Sequence, residues 1–104
     1  MERVVSRNGV QIRLTEERWF HIVENHDDLA GHYEDVLGTV EDPDAILQGD
    51  GGALVAEKRL APRRHLAVVC RELTASDGFV VTAYFTRRLA RRTVVWRRQQ
   101  QPAQ

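Results

Sequence analysis

Two apolar runs joined by one turn dominate residues 65–86. The first, HLAVVCREL at 65–73, is nearly continuous, which predicts a strand at the centre of a sheet. TASDG at 74–78 is a turn. The second run, FVVTAYFT at 79–86, is rich in β-branched and aromatic residues and predicts an adjacent central strand. A chain organised on such a pair needs flanking strands and an apolar layer over at least one face.

The first half supplies that layer. Val10, Ile12 and Leu14 alternate after the Asn8-Gly9 turn pair and predict a short N-terminal strand. Thr15 is a good N-cap, and Glu16 and Glu17 suit a first helical turn. Trp19, Ile22, Val23 and His26 recur at helical spacing, so an amphipathic helix runs to about Asp27–Asp28. Gly31 breaks the chain. A second helix follows through Tyr33, Val36, Leu37 and Val40, and Pro43 ends it.

Ala45–Gln48 is a short apolar piece, GDGG at 49–52 a hairpin signal, and Ala53–Leu60 a candidate strand. Pro62 with Arg63 and Arg64 marks the next turn, and Val94–Trp96 a short final strand. The expected fold is α+β: a short N-terminal strand, then two helices on one face of a roughly four-stranded antiparallel sheet. The other face is expected to be open to a ligand. One domain is expected over residues 1–104, with its core at about 10–97 and a frayed tail at 98–104.

Several classes fall away. No run of 18 apolar residues is present, so no membrane-spanning helix is expected. The N-terminus carries no apolar signal region, which points to the cytoplasm. Cys70 is the one cysteine, set in an apolar strand as an inert thiol, so neither a disulfide nor a thiolate metal site forms within the chain. His21, His26 and His32 lack the i, i+4 spacing of helical metal ligands. No phosphate loop or dinucleotide fingerprint occurs, so no metal and no cofactor is expected.

The net charge of zero hides a split. Residues 1–57 hold 4 Lys and Arg against 13 Asp and Glu, net −9; residues 58–104 hold 11 against 2, net +9. The split fits a polyanion bound by the basic half, or attraction between the halves within the fold. Alternation along the strands predicts a polar cluster on the open face. Val80, Thr82, Tyr84 and Thr86 share that face, away from Phe79, Val81, Ala83 and Phe85. Arg71 is the polar break in its strand, and one of the adjacent pair Lys58 and Arg59 must point the same way. Such a cluster suits a phosphate, with Tyr84 available to stack on a base, although a solvated sheet face needs no ligand. His26 lies at the helix end near the sheet rim, His21 on the exposed side, and His32 at the start of the second helix. His65 opens a strand beside Arg64 and can join the basic surface.

These segments carry a resemblance. LTEERWFHIVENHDDL, VEDPDAIL, KRL, RHLAVVCRE and FVVTAYFTRR together resemble the phage-type nucleases of the barnase–EndoU–colicin–RelE (BECR) fold. The pattern at 15–26 and AYFT at 83–86 are the most specific pieces, and a weaker likeness to BrnT-type toxins lies in Asn25-His26, Asp42-Pro43 and Arg71. The resemblance implies a metal-independent ribonuclease, often a toxin, acting on RNA and held in check by an acidic antitoxin or immunity protein. Carried over by position, it makes His26 and His21 candidates, with His26 as acid or base. Lys58 and Arg71 would stabilise the phosphate, and Tyr84 and Thr86 would orient it. Arg59, Arg64, His65, Arg87 and Arg88 would contact nucleic acid. The usual His-Pro-Glu ending reads His26-Asp27-Asp28 here, and no carboxylate stands clearly among the candidates as a base. Glu57 and Glu72 adjoin the cluster but point away if Lys58 and Arg71 point in. The other readings are a non-catalytic RNA- or protein-binding module of the same fold, and a structural domain whose two halves pair.

Overall fold

A computed structural model describes residues 2–99. Seven strands and two helices follow in the order β1 (Glu2–Val5), β2 (Gln11–Leu14), α1 (Glu16–Asn25), α2 (Tyr33–Glu41), β3 (Ala45–Gln48), β4 (Leu54–Ala61), β5 (Arg64–Glu72), β6 (Gly78–Thr86) and β7 (Val94–Arg97). The α+β class is as expected. The sheet is not: it has seven strands in the order β1-β2-β6-β5-β4-β3-β7, and β2 pairs with β6 in parallel. The expectation of about four antiparallel strands missed β1, whose ERVV stretch pairs with β2 around the Asn8-Gly9 turn. It also did not foresee that the chain between β2 and β6 would bring those two strands together in the same direction.

Local chemistry accounts for the helices. The Thr15 side chain accepts a hydrogen bond from the Arg18 amide at 3.1 Å, and Glu16 and Glu17 sit in the positive first turn of α1. Gly31 takes a positive φ of 85° between the helices, a conformation that favours glycine. Ile22, Leu29, Val36, Leu37 and Val40 bury against Ile12, Leu14, Leu66, Val68, Cys70, Val80 and Ala83 from the sheet. Cys70 is buried as expected, and burial pushes its thiol up to about 12.

Alternation along β6 departs from the expected pattern. Val69 pairs with Thr82 but Cys70 pairs with Val80, so Val81 is an extra residue in a bulge. The bulge turns Val80 to the helix side with Ala83 and Phe85. The Val81 carbonyl accepts a hydrogen bond from the Arg18 side chain at 3.4 Å.

The face away from the helices is not open. After β6 the chain must pass β5, β4 and β3 to reach β7 at the far edge. Residues 87–93 make this crossing as a strap. Arg88 and Ala90 border a cavity of about 70 Å³ whose other walls are Leu47, Val55, Glu57, Ala67, Tyr84 and Thr86. The Gln48 amide bonds the Thr93 carbonyl at 2.9 Å, and Arg92 pairs with Asp50 at 3.0 Å. A second, smaller core of Ala45, Leu47, Val55 and Ala67 forms on this side, with Val69 and Tyr84 against it.

The sheet also curls. Arg7, in the β1–β2 turn, lies 4.6 Å above the ring of Trp96 in β7, although β1 and β7 stand at opposite ends of the strand order. α2 lies inside the curl, against β1, β4 and β5. Of the tail expected to fray, Arg98 is held by a bond from its amide to the Asp44 carbonyl at 2.8 Å. Residues 100–104 lie outside the described residues. No helix among the described residues is long and apolar enough to cross a membrane.

Candidate functional site

One row of cross-strand neighbours builds the site. Arg97 of β7 pairs with Ala45 of β3, Ala45 with Glu57 of β4, Glu57 with Ala67 of β5, and Ala67 with Tyr84 of β6. Residues in one row share a face. The next row on that face is Arg59, His65 and Thr86. Two alanines flank Glu57, and their small side chains leave a hollow around its carboxylate.

That hollow is a cleft of about 700 Å³, bordered by Glu57, His65, Leu89 of the strap, the cations Lys58, Arg59, Arg97 and Arg98, and the carboxylate of Asp44. Glu57 is 2% exposed, and neither carboxylate oxygen has a hydrogen-bond partner among the described residues. Its Oε1 stands 3.9 Å from His65 Nδ1, too far for a hydrogen bond. An unpaired buried carboxylate is costly, since desolvation penalises the charged form. Burial accordingly raises the Glu57 pKa; the Arg97 charge opposes this and the Asp44 charge adds to it.

The cations around the cleft differ in their engagement. Arg98 is paired with Asp42 and lies 3.5 Å from Asp44, and Lys58 is 3.6 Å from Asp42. Arg59 and Arg97 make no ion pair within 4.0 Å among the described residues, leaving both guanidinium groups available to an anion.

The predicted site residues divide. Tyr84, Thr86, Arg59 and His65 come together on the strap side of the sheet. His26, at the end of α1, reaches the β6 rim with its ring centre 6.2 Å from that of Tyr84. Lys58 also borders the cleft, but alternation turns its ammonium from Glu57 and Arg59 toward Asp42, whose carbonyl it bonds at 3.2 Å. Arg71 is six residues along β5 from His65, about 20 Å away at strand rise, and packs at the Gly51 turn instead. His21 stands exposed between Glu17 and Glu24, 4.0 Å from each. Arg64 turns to the helix side, 4.2 Å above the Phe85 ring, and His32 bonds Asp35 at 2.8 Å. Arg87 and Arg88 are exposed on the strap. No group of three His, Cys, Asp or Glu side chains among the described residues is placed to hold a metal.

Glu57 and Arg97 were missed as site residues. The signal for Glu57 was parity: residues 57 and 59 share a strand face, so placing Arg59 inward places Glu57 inward too. For Arg97 no local signal existed, because it reaches the cleft only through the strap crossing.

The described residues thus define an α+β domain with a curled mixed sheet and a cation-bordered cleft closed by a strap. No protein-family model matches the chain, and neither a curated protein nor a solved structure matches it.

Proposed function

We propose that the protein is a ribonuclease that cleaves RNA by attack of a 2′-hydroxyl on the adjacent phosphate, without a metal. The observation that carries this is Glu57, a buried carboxylate with no hydrogen-bond partner, facing a cleft beside His65 and two unpaired arginines. Those are the groups the reaction needs. Glu57, ionised, takes the proton of the 2′-hydroxyl as its oxygen bonds to phosphorus. The bond from phosphorus to the 5′-oxygen breaks, and protonated His65 gives that oxygen its proton. Arg59 and Arg97 hold the phosphate and offset the charge that grows on it in the transition state. Tyr84 and Thr86 border the smaller cavity that Glu57 also meets, and from β6 they orient the substrate. The resemblance to BECR-type nucleases supports the same chemistry, with Glu57 supplying the base and His65 taking the role first assigned to His26. In this reading RNA is the substrate, and an acidic antitoxin or immunity protein is the natural partner of the exposed arginines.

The test is digestion of single-stranded RNA and DNA of one sequence in the presence of a chelator. Wild-type protein should cut the RNA, leave 2′,3′-cyclic phosphate ends and spare the DNA, which lacks the nucleophile. Glu57→Gln and His65→Ala should each lower kcat by about 10²–10⁴-fold. Full activity in Glu57→Gln, or cleavage that a chelator abolishes, overturns the assignment. Salt-sensitive RNA binding with no cleavage by the wild type would instead identify a binding module of the same face.

A further inference from the structure

A second groove adjoins the cleft at the outer edge of the sheet. It measures about 450 Å³ and is bordered by Arg7, Asp42, Trp96, Arg97, Arg98 and Gln99. Arg97, Arg98 and Gln99 border both hollows. The two therefore meet around β7, which pairs with β3 on one side and has no strand on the other. Successive side chains of a strand point to opposite faces. Arg97 thus reaches the cleft while Trp96 reaches the groove, from adjacent Cα atoms about 3.8 Å apart.

The groove has a flat aromatic wall and a flat cation. Trp96 is only partly buried, and the Arg7 guanidinium lies 4.6 Å above its ring centre. The guanidinium covers one face of the indole, so a base extends this stack on the outer face of Arg7, and such stacking accepts any base. A ligand that places an anion at Arg97 and a flat ring on the Arg7–Trp96 stack is a phosphate with its neighbouring nucleoside. We infer that the Arg7–Trp96 groove is a nucleobase subsite, which receives the base next to the phosphate held at Arg97 as single-stranded RNA bends around the β7 edge. This rests on the ribonuclease reading of the cleft for its phosphate, but the subsite is defined by its own residues.

The experiment uses the full chain and a fully 2′-O-methylated RNA octamer, which has no 2′-hydroxyl nucleophile and stays intact. Each nucleotide in turn is replaced by an abasic residue, and affinity is measured by fluorescence anisotropy. One position should stand out: its abasic form should bind wild-type protein about tenfold more weakly. Trp96→Leu should bind the abasic and intact octamers equally, and Trp96→Phe, which keeps a stacking ring, should restore most of the discrimination. Phe rescue shows that an aromatic ring at this position, and not apolar bulk, carries the discrimination. Discrimination retained in Trp96→Leu, no position that discriminates, or no binding at all overturns the subsite. Discrimination by a wild-type protein that does not cut unmodified RNA keeps the subsite and removes the ribonuclease reading. Cleavage without discrimination does the reverse.

Discussion

Glu57 is the residue on which the site turns, and its burial makes a prediction about stability as well as activity. Its folded-state pKa lies above the usual glutamate value of about 4.3. Between the unfolded and folded values, the folded chain binds more protons than the unfolded one. Stability therefore falls as pH rises through that window, and what Glu57 contributes is fully present only below the unfolded pKa. Asp42 and Asp50 act oppositely. Hydrogen bonds from Arg98 and Arg92 hold them below the ordinary range, so their contributions are lost as pH falls. The windows do not coincide, since the aspartates titrate below about 3.9 and Glu57 above about 4.3. Urea unfolding from pH 4.5 upward should show wild-type stability declining with pH. Glu57→Gln should flatten that decline and be at least as stable as wild type at pH 8. A steeper decline in the variant would mean that Glu57 is not the group responsible. Raising the pKa of a base also brings it nearer to the pH at which it works, which links the destabilising burial to the proposed chemistry.

Among the elements, the junction of β2, β5 and β6 is the most tightly set. A Cβ on Gly78 would stand 2.4 Å from the Arg71 carbonyl oxygen and 2.8 Å from Ile12 Cδ1. The first contact is backbone and cannot swing away, so only glycine lets β6 enter between β2 and β5. Gly78→Ala should destabilise the protein by about 2–3 kcal/mol, within the range for overpacked cores. Chemical denaturation would measure this, and a change below 0.5 kcal/mol (about the usual surface effect) would show that the strands can spread. The elements also mark how far the sequence could be read. Both helices, the hairpin signals and the central pair β5 and β6 were legible, because each rests on local periodicity and turn residues. β1 was not, since ERVV is short and charged. The Val81 bulge was not, because a strict two-residue alternation has no place for an extra residue. The strap was not, because nothing in RRLARRT says which way it travels, and with it went the covered face and the role of Arg97.

For the whole molecule, the charge split resolves into two populations. Lys58, Arg92 and Arg98 of the basic half pair with Asp42, Asp44 and Asp50 of the acidic half. Attraction between the halves thus holds for these residues, whereas Arg59, Arg97 and the strap cations Arg87, Arg88 and Arg91 have no such partner among the described residues and are the ones the proposed polyanion would meet. RNA affinity should accordingly fall with salt on a log–log plot, and Arg59→Ala and Arg97→Ala should each lessen the slope by about 0.7. An unchanged slope in both variants would move the phosphate contacts elsewhere. Asp42→Ala should not weaken binding through charge, since it frees two cations and removes an anion. The strap has one more consequence, which concerns proteolysis. It carries four arginines within six residues, all exposed, between a folded sheet and its last strand. Exposed loops are where proteases cut. A trypsin-like cut there would leave β1 to β6 joined in one piece and leave the segment bearing Trp96 and Arg97 held only by its pairing with β3 and the bond from the Arg98 amide to Asp44. A single nick would thus loosen Arg97 and the outer Trp96 wall while Glu57, Arg59 and His65 stay on the intact scaffold.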